Sequence, residues 1–184
     1  YYTLRSLNNL FRRHGLIIMD AEHRDFYGGS ILTYATKHAQ SPTKGMQDIE
    51  QQESQLDVPQ ALRDMKDKLT VNKAKIQGLL VDLKTSGKRV IDVGAPMKAS
   101  ILWNFYGITP DLVEYLAEVN ELKVGTVVPG VKIPVVNKDR VFQDPPDYEI
   151  LLSWNMADVI IPKYRESGYQ GKFILPVPEI EVIN

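Results

Sequence analysis

The feature that most constrains this chain is the alternation of short apolar segments with helical ones between residues 87 and 184. Arg89-Val90-Ile91-Asp92-Val93 reads as a strand, Gly94-Ala95-Pro96 as a tight turn, and Met97 to Tyr106 as a helix. Further apolar segments run from Glu114 to Val119, Ile133 to Val136, Tyr148 to Ser153 and Lys172 to Leu175, with a second helical stretch from Met156 to Ser167. Strands that alternate with helices build a parallel sheet through right-handed crossovers. Strands that are apolar almost throughout belong to a sheet covered on both faces. The expected class is therefore α/β, with a parallel sheet flanked by helices over 87–184.

Two other zones precede it. In residues 1–38, Leu4, Leu7, Leu10 and Phe11 fall at helical spacing, and His14-Gly15 ends the helix. Leu16 to Ala21 and Ile31 to Ala35 then read as antiparallel strands joined by a loop containing Gly28-Gly29. A helix and one hairpin bury too little to fold alone, so this zone is expected to pack on another sheet. In residues 39–86, Ser41-Pro42-Thr43 opens a polar stretch, a short helix is expected near Gln47 to Gln55, and a long one from about Pro59 to Lys84. Val58, Leu62, Met65, Leu69, Asn72, Ile76, Leu79 and Leu83 step by alternate fours and threes, a heptad seam with one polar member. Such a seam suits a coiled-coil dimer or one amphipathic helix lying across two domains. It covers fewer than four heptads, which favours the second reading, a monomer or weak homodimer.

Composition removes several function classes. The 22 basic and 23 acidic residues give a net charge of −1, so no basic excess points to nucleic acid. No apolar run approaches the roughly 20 residues of a membrane span, and the N-terminus lacks a signal-peptide pattern; a cytoplasmic protein is expected. Without cysteine there is no disulfide, cysteine metal site or cysteine nucleophile. His14, His23 and His38 show no metal-ligand spacing. The chain opens on Tyr1-Tyr2 without Met, as an excised piece of a longer protein would.

In open parallel sheets, ligands bind beyond the carboxyl ends of the strands, and the unusual residues fall at those ends. Gly94-Ala95-Pro96-Met97-Lys98 offers a turn, a helix N-terminus and a cation, which together can hold a phosphate. The same glycine is equally what a tight strand-to-helix turn needs for structure alone. Asn120 and Lys123 lie on the next strand-end loop, where they can contact a ribose, phosphate or sugar hydroxyl, or form a solvated turn. Trp154 can stack on a base or sugar ring with Asn155 as a polar contact; the alternative is a core Trp beside a helix-capping Asn. Asp92, inside an apolar strand, is either bonded structurally or turned toward the ligand edge.

The ordered motifs bring a resemblance. Gly87-Lys88-Arg89-Val90, Gly94 to Lys98, Asn104 and Gly107-Ile108 are followed by Asn120, Leu122-Lys123, Gly125, Pro129-Gly130 and Ile133-Pro134, then by Pro146-Asp147-Tyr148, Trp154-Asn155, Ala157-Asp158 and Pro176-Val177-Pro178-Glu179. This set resembles the C-terminal domain of bacterial SAM-dependent sugar C-methyltransferases. Tyr1 to Leu7 and Gly28-Gly29-Ser30 are similar to the end of the methyltransferase domain in the same proteins. Tyr27, Ala99-Ser100 and Val119 depart from the pattern, where the family often has His, Gly-Asn and Arg.

The resemblance implies a Rossmann-like domain at 87–184, a helical linker at 39–86, and a helix plus β-hairpin at 1–38 left from a SAM-methyltransferase domain. It implies that the full-length enzyme methylates a carbon of a nucleotide-linked keto-deoxysugar with S-adenosylmethionine. The SAM motif, a Glu-His pair for proton abstraction and an N-terminal zinc-binding segment are expected upstream of Tyr1, so this piece alone is expected not to methylate. The substrate-side residues would be Gly94, Ala95, Lys98, Asn120, Lys123, Trp154 and Asn155. Two rivals remain: a ligand-free scaffold domain working through the long helix, and a nicotinamide-dependent dehydrogenase, for which Glu118 at a strand end is the only support.

Overall fold

A computed structural model describes residues 2–25, 29–38 and 41–184. Tyr1, Tyr27 and Gly28, each named above, lie outside the described residues. The chain forms two compact units, Tyr1–Asp64 and Met65–Asn184.

In the first unit, α1 (Leu4–Arg13) starts at Thr3, whose hydroxyl accepts from the Ser6 N–H while the Ser6 hydroxyl accepts from the Thr3 N–H. Such reciprocal capping satisfies two of the donors every helix start leaves open. Strands β1 (Ile17–Arg24) and β2 (Ser30–Thr36) pair antiparallel, with a bulge between Ile18 and Asp20. The expected short helix is α2 (Lys44–Ser54), beginning three residues early because Thr43 caps it. α2 closes the unit: Glu53 accepts from the Leu4 and Arg5 N–H groups at 2.5 and 3.1 Å, capping α1 from outside. Gly45 is required there, since a Cβ would stand 2.6 Å from the Ala21 carbonyl oxygen. Leu4, Ile18, Ala21, Met46 and Ile49 form the unit's core, so α2 supplies apolar cover for the helix and hairpin.

The long helix is α3 (Val58–Thr85). Its seam divides. Val58, Leu62 and Met65 are exposed, whereas Asn72, Ile76 and Leu80 are buried and Leu69, Leu79 and Leu83 pack on the core of the second unit. Asn72 spends its amide within the chain, donating to the Pro178 carbonyl at 2.7 Å. The e and g positions of the two central heptads, Lys66, Lys68, Lys73 and Lys75, are cationic, a pattern that opposes pairing two copies of this helix in parallel.

The second unit holds a six-stranded sheet of β3 (Val90–Val93), β4 (Leu116–Glu118), β5 (Val135–Asn137), β6 (Tyr148–Leu151), β7 (Lys172–Leu175) and β8 (Glu181–Ile183). Their order is β5-β4-β3-β6-β7-β8, parallel except for the antiparallel last strand. This is the doubly wound Rossmann-like order, with its topological switch between β3 and β6. Helices α4 (Met97–Tyr106), α5 (Arg140–Gln143) and α6 (Ala157–Glu166) complete it. One face packs with α3 and α4 around Trp103, Tyr106, Leu116 and Ile150. The other packs with α5 and α6 around Tyr115, Val141, Tyr169 and Phe173. Strand β8 and helix α5 were not expected from the sequence, and β4 is shorter than its apolar run.

Two carboxylates lie inside this unit. Asp92 is fully buried and accepts from the Trp103 indole N–H at 2.5 Å. Burial raises its pKa well above the ordinary aspartate range, against the opposing effect of that bond. Asp92 is thus a structural partner of α4, and this decides the question the sequence left open. Glu149 on β6 is also fully buried, with neither carboxyl oxygen hydrogen-bonded. Burial pushes its pKa up to about 8, and the Arg165 charge only partly offsets this.

A raised pKa in the folded state means that folding takes up a proton between the ordinary glutamate value and about 8. The contribution is complete below pH 4.5 and is lost as pH rises through 8. Glu149→Gln should therefore leave the melting temperature nearly unchanged at pH 5 and raise stability by a few kcal/mol at pH 9, at about 1.4 kcal/mol per pH unit of displaced titration. Calorimetry at the two pH values checks this.

Candidate functional site

The carboxyl ends of β3, β4 and β6 are where the sequence places its unusual residues, and side-chain bonds link them. Gly94 has φ +80, a left-handed conformation that favours glycine. A Cβ there would lie 3.3 Å from the Ser153 hydroxyl, so the turn sits directly against the end of β6. The Gly94 N–H donates to the Ala117 carbonyl at the end of β4. Pro96 then precedes α4 in extended conformation, and no side chain caps the helix start.

The organiser of this rim is Glu118, only 7% exposed at the end of β4. Its carboxylate accepts from the Ala95 N–H at 2.9 Å, the Val119 N–H at 2.8 Å and the Asn120 N–H at 3.0 Å, with Lys123 Nζ 3.6 Å away. Burial works to raise its pKa, but the three backbone donors and the Lys123 charge outweigh it, and the net value is lowered. The sequence offered Glu118 only as a ribose ligand for a dinucleotide. Its oxygens are instead committed to the loops, which removes the one support for the dehydrogenase reading. A lone carboxylate at the end of an apolar strand, 24 residues after a glycine turn, is the signal that could have been read as a loop clamp.

The proposed site residues separate by role. Lys98 and Asn155, 57 residues apart, meet: Lys98 Nζ donates to Asn155 Oδ1 at 2.6 Å. The same ammonium stands 3.7 Å from the centre of the Trp154 ring, close enough for a cation–π contact. Partial burial lowers the Lys98 pKa from the ordinary lysine value. Trp154 and Asn155 lie in a short 3-10 turn (Trp154–Met156) leading into α6, and Asn155 makes no capping bond. One indole face is thus covered by the chain's own lysine. Lys123 Nζ donates to the Ala95 carbonyl at 2.7 Å, so Gly94, Ala95 and Lys123 form the other arm of the rim. Asn120 behaves differently. Its side-chain oxygen accepts from the Leu122 N–H two residues on, closing a local turn on an exposed loop.

Beside this rim lies a cavity of about 390 Å³ lined by Ala95, Pro96, Met97, Ala99, Ser100, Leu116, Lys123, Thr126, Val127, Val128, Pro129 and Val135. Asn104, outside the lining, holds one wall residue in place. Asn104 Nδ2 donates to the Pro129 carbonyl at 2.8 Å, and Gly130 packs so closely on it that a Cβ would collide with its Oδ1. A larger depression of about 600 Å³ opens at the other end of the strands, around Lys88, Asp147 and Lys172, away from these residues.

Comparison with known proteins agrees with the motifs. The model of the C-methyltransferase C-terminal domain matches residues 25–178. This chain belongs to that family. It is also 32% identical over 191 residues to the C-methyltransferase NovU of Streptomyces niveus, and the match takes in all of this chain. The chain spans 45% of that protein's length.

Within this C-methyltransferase domain the rim depends on Glu118. Glu118→Ala should lower stability by about 3 kcal/mol, the scale of charged hydrogen bonds lost from a buried acceptor, and should speed amide exchange at Ala95, Val119 and Asn120. Because the native pKa is depressed, the wild type should lose part of this stability as pH falls below 4.5 and through the lowered native value. Hydrogen-exchange NMR on both proteins tests this, and unchanged exchange at Ala95 would contradict it.

Proposed function

We propose that this chain forms the substrate side of a C-methyltransferase acting on a nucleotide-linked keto-deoxysugar, and that the rim between β3 and β6 holds the diphosphate. The observation that carries this reading is the Lys98–Trp154–Asn155 cluster at the topological switch point, the place where such sheets take their ligands. Lys98 keeps further N–H donors after its bond to Asn155, and the uncapped start of α4 adds backbone donors and a partial positive charge. Gly94 lets the backbone pass close to an anion, and Asn155 orients the ammonium. Trp154, with one face under Lys98 and part of its ring packed on the core, offers its exposed edge to a sugar.

S-adenosylmethionine would supply the methyl group in the whole enzyme. The residues of this rim do not fit that donor, because Glu118, placed where a carboxylate grips an adenosine ribose, is already bonded to three backbone N–H groups. We therefore assign this chain to substrate binding and orientation, which fixes the geometry of attack, and not to the chemical step. The zinc implied by the resemblance has no counterpart among the described residues, where no group of three or more His, Asp or Glu could hold a metal ion. No helix among them is long and apolar enough to cross a membrane.

The rival reading is a ligand-free scaffold working through α3, and it draws on the exposed Val58, Leu62 and Met65. Titration of the 184-residue chain with dTDP-glucose, followed by amide NMR, separates the two. Binding should move residues 94–98 and 153–156 together, and Lys98→Met should weaken it by roughly tenfold or more, the worth of one charged hydrogen bond. No shift at millimolar ligand would favour the scaffold.

A further inference from the structure

Glu149 has no part in the reading above, and nothing around it satisfies its carboxyl. We infer that it is a proton-operated latch on α6. Protonated, it leaves Arg165 bound to the turn before β7; ionised, it draws Arg165 to itself and frees α6, and with it the Trp154–Asn155 arm of the rim.

Three observations carry it. The Glu149 side chain is fully buried, and neither carboxyl oxygen has a hydrogen-bond partner. A neutral acid tolerates such a place, whereas a carboxylate must find a partner or reach water. The cation whose charge reaches it is Arg165 on α6, and that guanidinium is already engaged. Its Nη1 donates to the Tyr169 carbonyl at 2.8 Å and to the Gly171 carbonyl at 2.7 Å, and the group lies over the Phe173 ring. A bond to a carboxylate is stronger than a bond to a neutral carbonyl, so charge on Glu149 competes for the arginine. Finally, α6 is weakly held: none of its residues is buried, no side chain caps its start, and Pro162 in its interior removes a backbone donor. The turn that carries Trp154 and Asn155 runs straight into α6, so its movement reaches Lys98 through the Lys98–Asn155 bond.

The rest of this face leaves the switch to Glu149. Strands β3 and β7 place Ile91 and Phe173 beside it, and neither titrates. Burial, and then the Glu149 charge, hold the hydroxyls of Tyr164 on α6 and Tyr169 in the turn above the ordinary tyrosine range. Burial does the same for Tyr115 at the head of β4, whose ring lies under Arg140 of α5. With burial pushing the Glu149 pKa up to about 8, the latch is closed below that pH and opens as pH rises through it.

NMR of the 184-residue chain between pH 6 and pH 9 tests the latch. The Glu149 carboxyl carbon, the Arg165 Nε–H and the Trp154 indole N–H should shift together, with one midpoint near 8. In Glu149→Gln the Arg165 and Trp154 signals should keep their low-pH positions throughout. In Arg165→Met the Glu149 midpoint should rise, because a favourable charge is gone, and Trp154 should no longer follow it. If Glu149→Gln fails to fold, Arg165→Met carries the test. A Glu149 titration with Arg165 and Trp154 silent overturns the latch. So does a Trp154 transition that persists in Glu149→Gln, since Lys98 would then be its source. The consequence for a ligand rests on the rim reading: dTDP-glucose should bind roughly tenfold more weakly at pH 9 than at pH 7, one pH unit beyond the midpoint, and the loss should be much smaller in Glu149→Gln. If the three signals move together while dTDP-glucose binds equally at both pH values, or at neither, the latch stands and the rim reading falls.

Discussion

One buried carboxylate sets the geometry on which the rest depends. Glu118 binds three backbone N–H groups from two different loops, and it does so in a site shielded from water. Leaving those donors unpaired there would cost more than any one of the bonds gains. The turn after β3 and the loop after β4 are therefore held in fixed relation. Lys123 closes the arrangement by binding the Ala95 carbonyl from the same loop. A carboxylate at the strand end thus serves the rim, tying the two loops together.

The helix that carries Lys98 is fixed by a second buried contact. The Asp92 carboxyl at the centre of β3 accepts from the Trp103 indole in the second half of α4. That bond, with the packing of Trp103 and Tyr106 into the core, sets how α4 leaves the turn. Lys98 then lands beside Trp154 and Asn155. Asp92 trades stability for placement in this way, whereas Glu149, with no hydrogen bond at either oxygen, carries the burial cost alone.

Much of this was legible in the residues. The helix Met97–Tyr106 and the strand Lys172–Leu175 lie where apolar pattern and turn residues put them, because Gly94-Ala95-Pro96 and Gly107 punctuate the first and Gly168 and Gly171 precede the second. Strand β8 escaped notice because Glu181-Val182-Ile183 is short, polar at one end and paired antiparallel at an edge. The heptad seam was read as one stripe, yet its first three members are exposed and its later ones lie in the core. Periodicity marks a face and cannot say how far along the helix that face is covered. Likewise, the sequence put Lys98, Trp154 and Asn155 on one sheet edge but could not show that the lysine already lies on the indole. It gave Asn120 a candidate ligand role and could not show that its side-chain oxygen also closes a local turn.

The central claim is that the diphosphate of a nucleotide-linked sugar sits between the ends of β3 and β6. A crystal structure of the chain with thymidine diphosphate tests it most directly. The account predicts phosphate oxygens within hydrogen-bond distance of Lys98 Nζ and the first N–H groups of α4. Phosphates found at the opposite end of the strands, beside Lys88 and Lys172, would contradict it.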